Sequence, residues 1–150
     1  MIEVRCPTEA DTAAFASRLA AAVRPGDVLL LVGGLGAGKT LFAGGLATGL
    51  GVEETVVSPS FVLVRRYLSG FLPMVHVDVY RLGSLSEFED LDVFEMAADG
   101  VLVIEWGDAV EAAVAADHLR VELAVEDDDT RALRLVPAGS WVSRDLETVR

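Results

Sequence analysis

Asparagine and glutamine are absent from the 150-residue sequence, and cysteine occurs once. The missing amides exclude every mechanism that needs a side-chain amide. The single Cys6 excludes an intramolecular disulfide and a cysteine-based metal cluster. Apolar runs such as Val28 to Val32 and Val101 to Ile104 are far shorter than a membrane span, and the first residues lack the layout of a signal peptide. We therefore expect a cytoplasmic protein with no membrane contact.

Basic residues are also scarce, 12 against 24 acidic ones, which gives a formal net charge of −12. Such a chain is not expected to capture nucleic acid or anionic membrane by general electrostatic attraction. Eleven of the basic residues are arginine, and the one lysine is Lys39. Any anion must therefore be bound locally. The length suits a single domain over residues 1–150.

Apolar periodicity predicts helices that alternate with strands, together with two hairpins. The predicted fold is therefore an α/β three-layer sandwich with a mixed central sheet. Four helices are predicted. The first begins at Thr8 and ends before Pro25, and the second runs from Lys39 to Leu50. The third begins with a Ser86/Glu89 capping box and ends near Gly100, and the fourth runs from Asp108 to Ala116. The predicted strands are 28–32, 61–68, 74–80, 101–104, 119–125 and 131–136.

The segment Gly33 to Thr40 matches the phosphate-loop pattern G-x-x-x-x-G-K-[ST] between a predicted strand and a predicted helix. Glycines let successive backbone N–H groups point at phosphate oxygens, and the helix adds its positive end. Lys39 would bridge the β- and γ-phosphates, and the Thr40 hydroxyl would ligate Mg²⁺. The alternative is a tight turn with a solvated lysine. The predicted nucleotide contacts in this loop are Gly34, Leu35, Gly36, Ala37, Gly38, Lys39 and Thr40.

Phosphoryl transfer needs a further carboxylate near the metal, and two candidates follow apolar strand residues. Glu105 follows the apolar run 101–104, at the strand end where open α/β sheets bind ligands. Asp78 alternates with apolar residues on another predicted strand. The structural alternatives are a helix-starting acid for Glu105 and a solvent-facing strand residue for Asp78. Neither His76 nor His118 is assigned a catalytic role.

The absent residues also separate classes of nucleotide enzyme. Guanine-specific switches read the base with an Asn-Lys-x-Asp segment and orient water with a glutamine. This sequence contains neither asparagine nor glutamine. ATP is therefore the expected nucleotide, and the attacking water must be aligned by a carboxylate, a hydroxyl or a partner protein. The segment Ser58 to Phe61 is either a mobile element near the γ-phosphate or an ordinary proline turn. Trp106 either stacks near the nucleotide or packs in the core.

Four motifs in this order resemble the TsaE family over nearly the whole chain: 33–40, 57–64, 76–82 and 104–106. The resemblance implies an Mg²⁺-dependent ATPase required for threonylcarbamoyladenosine modification of tRNA. It would act on the TsaB–TsaD complex and reach tRNA only through these partners. It also implies that Glu105 is the acidic metal-site residue and that Asp78 is important for hydrolysis. The remaining roles are switch-like ones for Ser58 and Ser60 and adenine or ribose contacts for Thr8 and Arg131.

The sequence departs from the family pattern in three places, which include four residues: Gly34 stands in place of the usual Asp, Ser60 in place of Thr, and Arg65-Arg66 in place of a polar or acidic pair. The hydroxyl survives at Ser60, so the switch role is retained. Two other functions use the same loop. One is a free-standing small-molecule kinase, for which Arg65, Arg66 and Arg81 would supply lid arginines. The other is a nucleotide-gated binding module with negligible hydrolysis.

Overall fold

The computed structural model describes residues 1–59 and 63–150, which form a seven-stranded sheet flanked by helices. The strands are Ile2–Cys6 (β1), Asp27–Val32 (β2), Val64–Tyr67 (β3), Met74–Asp78 (β4), Val101–Glu105 (β5), His118–Val125 (β6) and Arg131–Ala138 (β7). The α-helices are Glu9–Leu19 (α1), Lys39–Gly49 (α2), Leu85–Glu89 (α3) and Val93–Met96 (α4). Short 3-10 helices cover Ala20–Ala22, Gly107–Ala113, Gly139–Ser143 and Glu147–Val149. None of the helices in these two ranges is long and apolar enough to cross a membrane.

The sheet is mixed, as predicted, with the strand order β1-β7-β6-β2-β5-β4-β3. The central strand β2 pairs in parallel with β5 and β6, and β4 pairs in parallel with β5. The outer strands β1, β7 and β3 are antiparallel to their neighbours. The parallel strands β2, β5 and β4 therefore end at the same edge of the sheet.

Helices cover both faces of the sheet, which confirms the predicted three layers. On one face, Phe15 of α1 and Phe42 of α2 pack in the same cluster as Leu29. On the other face, Phe88 of α3 and Val93 of α4 belong to the second core cluster. Because both faces are covered, β2 and β5 are apolar without alternation.

Local details differ from the predictions. The Ser86/Glu89 capping box is wrong, because Ser84 has the extended backbone of an N-cap and its Oγ accepts a hydrogen bond from the Glu87 N–H at 3.2 Å. The predicted long helix is divided into α3 and α4 at Asp92, which has a left-handed φ of 54°. The alanine-rich segment forms the 3-10 helix Gly107–Ala113 instead of an α-helix.

The first strand, β1, was not predicted. It pairs with β7, whose partner residues lie more than 120 positions along the chain, so no local turn marks it. Its side chains do alternate between more and less exposed positions, which is typical of an edge strand.

Candidate functional site

The phosphate loop connects β2 to the first turn of α2, as predicted. Gly36 and Gly38 have positive φ angles of 78° and 105°, which residues other than glycine rarely adopt. These angles curl the loop back toward the start of α2, where the N–H groups of the first turn have no partner within the helix. The local geometry is therefore that of an anion-binding loop at a helix N-terminus.

Lys39, the one lysine of the chain, lies at the base of this loop and is only 5% exposed. Its Nζ donates hydrogen bonds to the carbonyl oxygens of Gly33 and Gly34, both at 2.8 Å. The same atom lies 3.9 Å from the centroid of the Trp106 ring, a cation–π contact. Burial lowers the pKa of the Lys39 ammonium, an effect that nearby carboxylates, chiefly Glu105 and Asp78, oppose. The alternative of a solvated surface lysine is therefore wrong.

Thr40, the next residue, contacts the end of β5. Its Oγ1 donates to the carboxylate of Glu105 and lies 3.0 and 2.9 Å from the two carboxylate oxygens. Glu105 is 3% exposed and is the last residue of β5. It therefore lies at the strand end where the sequence predicted it, although the strand is one residue longer than the predicted 101–104. The structure thus brings together the hydroxyl and the carboxylate that were assigned separately to a metal.

Asp78 ends β4 and pairs in register with Glu105, so the two carboxylates lie on neighbouring strand ends. It is 4% exposed, and its Oδ1 accepts a hydrogen bond from the Tyr80 N–H at 2.9 Å. The alternative of a solvent-facing strand residue is therefore wrong. A buried carboxylate at a strand end next to that of Glu105 is suited to orienting a water molecule.

These groups line a cavity of about 380 Å³ at the edge of the sheet. Trp106 lines the cavity, and its ring lies against that of Tyr80 with the centroids 4.7 Å apart and the planes tilted by 34°. Trp106 has a left-handed φ of 61°, and strained backbone of this kind clusters at functional sites. The lining residues are Glu9, Leu35, Gly36, Gly38, Lys39, Thr40, Leu41, Ser58, Asp78, Tyr80, Arg81, Glu105, Trp106 and Arg131.

The resemblance alone assigned Arg131 and Thr8 to adenine or ribose, and of these two only Arg131 is among the cavity-lining residues described. Arg131 begins β7, lines the cavity, and its Nη2 lies 3.5 Å from the Gly36 carbonyl oxygen. Thr8 instead caps α1, accepting a hydrogen bond from the Asp11 N–H at 3.2 Å, and among the described residues it is Glu9 that lines the cavity at this point.

The other predicted contacts are distributed as follows. Ser58 lines the cavity, whereas Ser60 lies outside the residues that the structure describes. Gly34 is exposed, and Ala37 is buried with its N–H donating to the Gly34 carbonyl oxygen at 3.2 Å. Neither of these two loop residues is among the cavity-lining residues described.

Sequence reasoning left His76 without a role, yet its Nε2 lies 2.6 Å from Glu105 Oε2 in the core. The sequence did contain a signal. His76 precedes Asp78 by two residues on one strand, so both side chains project from the same face of the sheet. Since Asp78 is in register with Glu105, that face is the one that carries the carboxylates.

The loop geometry predicts unequal effects of alanine at two adjacent glycines. A Cβ on Gly33 would lie 2.6 Å from the Leu123 carbonyl oxygen, whereas a Cβ on Gly34 would meet nothing within 4 Å. We expect Gly33→Ala to lower the free energy of unfolding by about 1–3 kcal/mol, because backbone of β6 must move. Gly34→Ala, the matched control, should stay within about 0.5 kcal/mol of the unsubstituted protein. Urea unfolding measures both, and equal effects would contradict the close approach of the loop to β6.

Known proteins are similar to this chain over most of its length. The model of the protein family "Threonylcarbamoyl adenosine biosynthesis protein TsaE" matches residues 6–133. A tRNA threonylcarbamoyladenosine biosynthesis protein TsaE from Bacillus subtilis is 39% identical, over 87% of this chain and 82% of the relative. The corresponding protein from Streptomyces coelicolor is 42% identical, over 88% of this chain and 95% of the relative.

A solved structure is also similar to this chain. The crystal structure of Bacillus subtilis YdiB superposes with a TM-score of 0.79 at 33% identity, covering 99% of this chain and 90% of that one. The matched region includes the phosphate loop and both carboxylate strands described above. The chain belongs to the TsaE family.

Proposed function

We propose that this protein binds and hydrolyses Mg²⁺-ATP as an accessory protein of threonylcarbamoyladenosine biosynthesis on tRNA. The observation that carries the proposal is the arrangement of Lys39, Thr40 and Glu105 around one cavity at the phosphate loop. Lys39 supplies a buried positive charge beneath the loop. Thr40 and Glu105 supply oxygen atoms where a metal ion bound to phosphates is required.

The oxygen donors at this edge fit Mg²⁺, which prefers carboxylates, hydroxyls, phosphates and water. Thr40 and Glu105 are already within hydrogen-bond distance of each other. The described part of the chain contains no group of three or more acidic, histidine or cysteine side chains that could hold a metal. Thr40 and Glu105 would hold an ion that is also bound to the phosphates of the nucleotide, and the ion would neutralise charge on those phosphates.

Hydrolysis also needs a group that aligns the attacking water, and glutamine is not available. Asp78 and Glu105 both line the cavity, and both carboxylates interact with the charge of Lys39. Either carboxylate can accept a proton from water at this position. Ser58 and Arg81 also line the cavity, and a partner protein that moves them would complete the site.

The biological role rests on the family. The relatives from Bacillus subtilis and Streptomyces coelicolor are named as tRNA threonylcarbamoyladenosine biosynthesis proteins. We infer that this chain acts on the TsaB–TsaD complex and that hydrolysis resets that complex between rounds. The net charge of −12 supports indirect contact with tRNA, because an acidic chain needs basic partners to approach phosphates.

A small-molecule kinase is the competing function. Its lid would need arginines that close over the phosphates, and Arg81 does line the cavity. Arg65 and Arg66 instead lie exposed on the edge strand β3. The geometry therefore supplies one of three proposed lid arginines, which favours the ATPase. A binding module with negligible hydrolysis would use the same cavity.

One experiment separates these functions. ATP hydrolysis is measured for the protein alone and with purified TsaB–TsaD, using the unsubstituted protein, Glu105→Ala, and the exposed Glu95→Ala as matched control. We expect slow hydrolysis alone, stimulation by TsaB–TsaD, and a loss of at least about tenfold in Glu105→Ala only. Stoichiometric phosphorylation of a small metabolite would instead establish the kinase. Nucleotide binding without any turnover would establish the binding module.

A further inference from the structure

His76 places a polar ring in the core of β4. Its side chain is completely buried, and the neighbouring core positions of this strand are the apolar Met74, Val75 and Val77. A polar group in such surroundings destabilises the fold unless it forms a hydrogen bond. The imidazole forms one, from Nε2 to Glu105 Oε2 at 2.6 Å. The ring is therefore directed at the carboxylate proposed to hold the metal.

Glu105 receives hydrogen bonds from two different elements. Thr40 donates from α2 and belongs to the phosphate loop, whereas His76 donates from β4. When the Thr40 hydroxyl binds Mg²⁺, an oxygen lone pair must point at the ion, which restricts the directions in which its O–H can donate. The His76 ring is completely buried, so packing restricts the direction of its Nε2 toward the carboxylate.

The hydrogen-bonding pattern assigns the tautomer of His76. A carboxylate accepts and does not donate, so Nε2 carries the proton. The other ring nitrogen, Nδ1, is buried and has no hydrogen-bond partner among the described residues. If the ring only filled space, the buried and unpaired Nδ1 would destabilise the fold with no compensating function. The orientation is explained if the function of the ring is to present Nε2–H to Glu105.

We propose that His76 is a positioning residue, whose Nε2–H holds the Glu105 carboxylate in the orientation that the Mg²⁺ of the bound nucleotide requires. This inference rests on the proposed function, because it assigns a role in the same site. Groups that hydrogen-bond a metal ligand typically change metal affinity by about 10- to 100-fold when they are removed.

The test compares nucleotide binding with and without the metal. Calorimetry with the non-hydrolysable analogue AMP-PNP gives the dissociation constant in excess Mg²⁺ and in EDTA, for the unsubstituted protein, His76→Leu and His76→Gln. We expect His76→Leu to bind about 10- to 100-fold more weakly in Mg²⁺ and equally well in EDTA. His76→Gln should retain the Mg²⁺ effect, because its amide nitrogen reaches the place of Nε2. If His76→Leu does not fold, His76→Asn replaces it, since its shorter amide does not reach Glu105.

A spectroscopic measurement tests the contact without any nucleotide. A long-range proton–nitrogen NMR spectrum of the imidazoles should show the proton of His76 on Nε2. His118 is the internal control, because its Nδ1 lies 2.8 Å from the Ala115 carbonyl oxygen and must carry a proton. A His76 ring with its proton on Nδ1 and none on Nε2 would overturn the proposal.

The outcomes separate this inference from the function on which it rests. An unsubstituted protein that binds no AMP-PNP overturns the proposed function and the role of His76 with it. Normal binding with the same Mg²⁺ dependence in all variants overturns the role of His76 alone, and leaves the imidazole as a core residue. Loss of the Mg²⁺ dependence in His76→Leu with retention in His76→Gln supports the positioning role.

Discussion

Replacing Lys39 by methionine is expected to lower the rate of the proposed ATP hydrolysis by about 10²–10³-fold, the usual loss when one preorganised electrostatic group is removed. Binding of ATP should weaken by about 10- to 100-fold, because hydrogen bonds to charged groups contribute more than neutral ones. Methionine keeps an unbranched apolar stem, so the packing against Trp106 is preserved while the charge is lost. Single-turnover hydrolysis and calorimetry with ATP measure the two effects.

Arginine at the same position should not restore the activity, even though it keeps the charge. The Lys39 ammonium occupies a narrow space between two carbonyl oxygens at 2.8 Å and an indole ring at 3.9 Å. A planar guanidinium is larger and presents its donors in a fixed fork. The sequence uses arginine for every other basic residue, so Lys39→Arg tests whether the one lysine is required by geometry.

Two results would contradict this role for Lys39. Hydrolysis by Lys39→Met at the unsubstituted rate would show that the ammonium does not act on the phosphates. Full activity in Lys39→Arg would show that any cation suffices and that the narrow geometry has no consequence. Urea unfolding of both variants serves as the control, because a reduced rate is informative only when the fold is intact.

The elements that sequence reasoning predicted well are those whose cause is local. β2 and β5 are apolar runs buried on both faces, and the glycine motif between β2 and α2 specifies its own turn. The position of Glu105 follows from the same logic, because an acid directly after a buried strand lies at the sheet edge. Asp78 was assigned with an open alternative, since alternation alone does not reveal that β3 and β5 flank its strand.

The features that sequence reasoning missed depend on contacts between distant segments. β1 is a strand because β7 pairs with it, and the contact of Arg131 with Gly36 joins residues 95 positions apart. The resemblance brought Arg131 to attention, and the residues alone did not. Ser84 instead of Ser86 caps the helix because its backbone has the extended angles of an N-cap, and the sequence pattern does not show these angles. His76 acquires its contact only once β4 and β5 are aligned.

The second prediction with a large effect concerns the free energy of unfolding, and it rests on an ion pair between Arg144 and Asp27, neither of which is among the cavity-lining residues described. Arg144, in the C-terminal segment, donates to Asp27 at the start of β2, with Nη2 2.8 Å from Oδ1. The same guanidinium donates to the Ala22 carbonyl oxygen at 3.0 Å and lies 4.0 Å from the ring centroid of the buried Trp141. The side chains of Arg144 and Asp27 are only 5% and 8% exposed. The C-terminal segment is thus held to the central strand by a buried ion pair.

Arg144→Ala should lower the free energy of unfolding by about 3–5 kcal/mol, because it leaves the Asp27 carboxylate buried without its cation. For a domain of this size that loss is a large part of the total stability, which is typically about 5–15 kcal/mol. Urea unfolding monitored by circular dichroism measures it.

The matched control is Arg150→Ala, which removes an ion pair with Glu147 whose partners are 55% and 66% exposed. Its effect should stay below about 0.5 kcal/mol, because solvent screens exposed pairs. Arg144→Lys should recover little, since a lysine cannot reproduce the two parallel hydrogen bonds to the carboxylate. Replacing Asp27 and Arg144 together by leucine should cost less than the sum of the single alanine substitutions, because no unpaired charge is left in the core. Equal losses in Arg144→Ala and Arg150→Ala would mean that the pair does not anchor the C-terminal segment to β2.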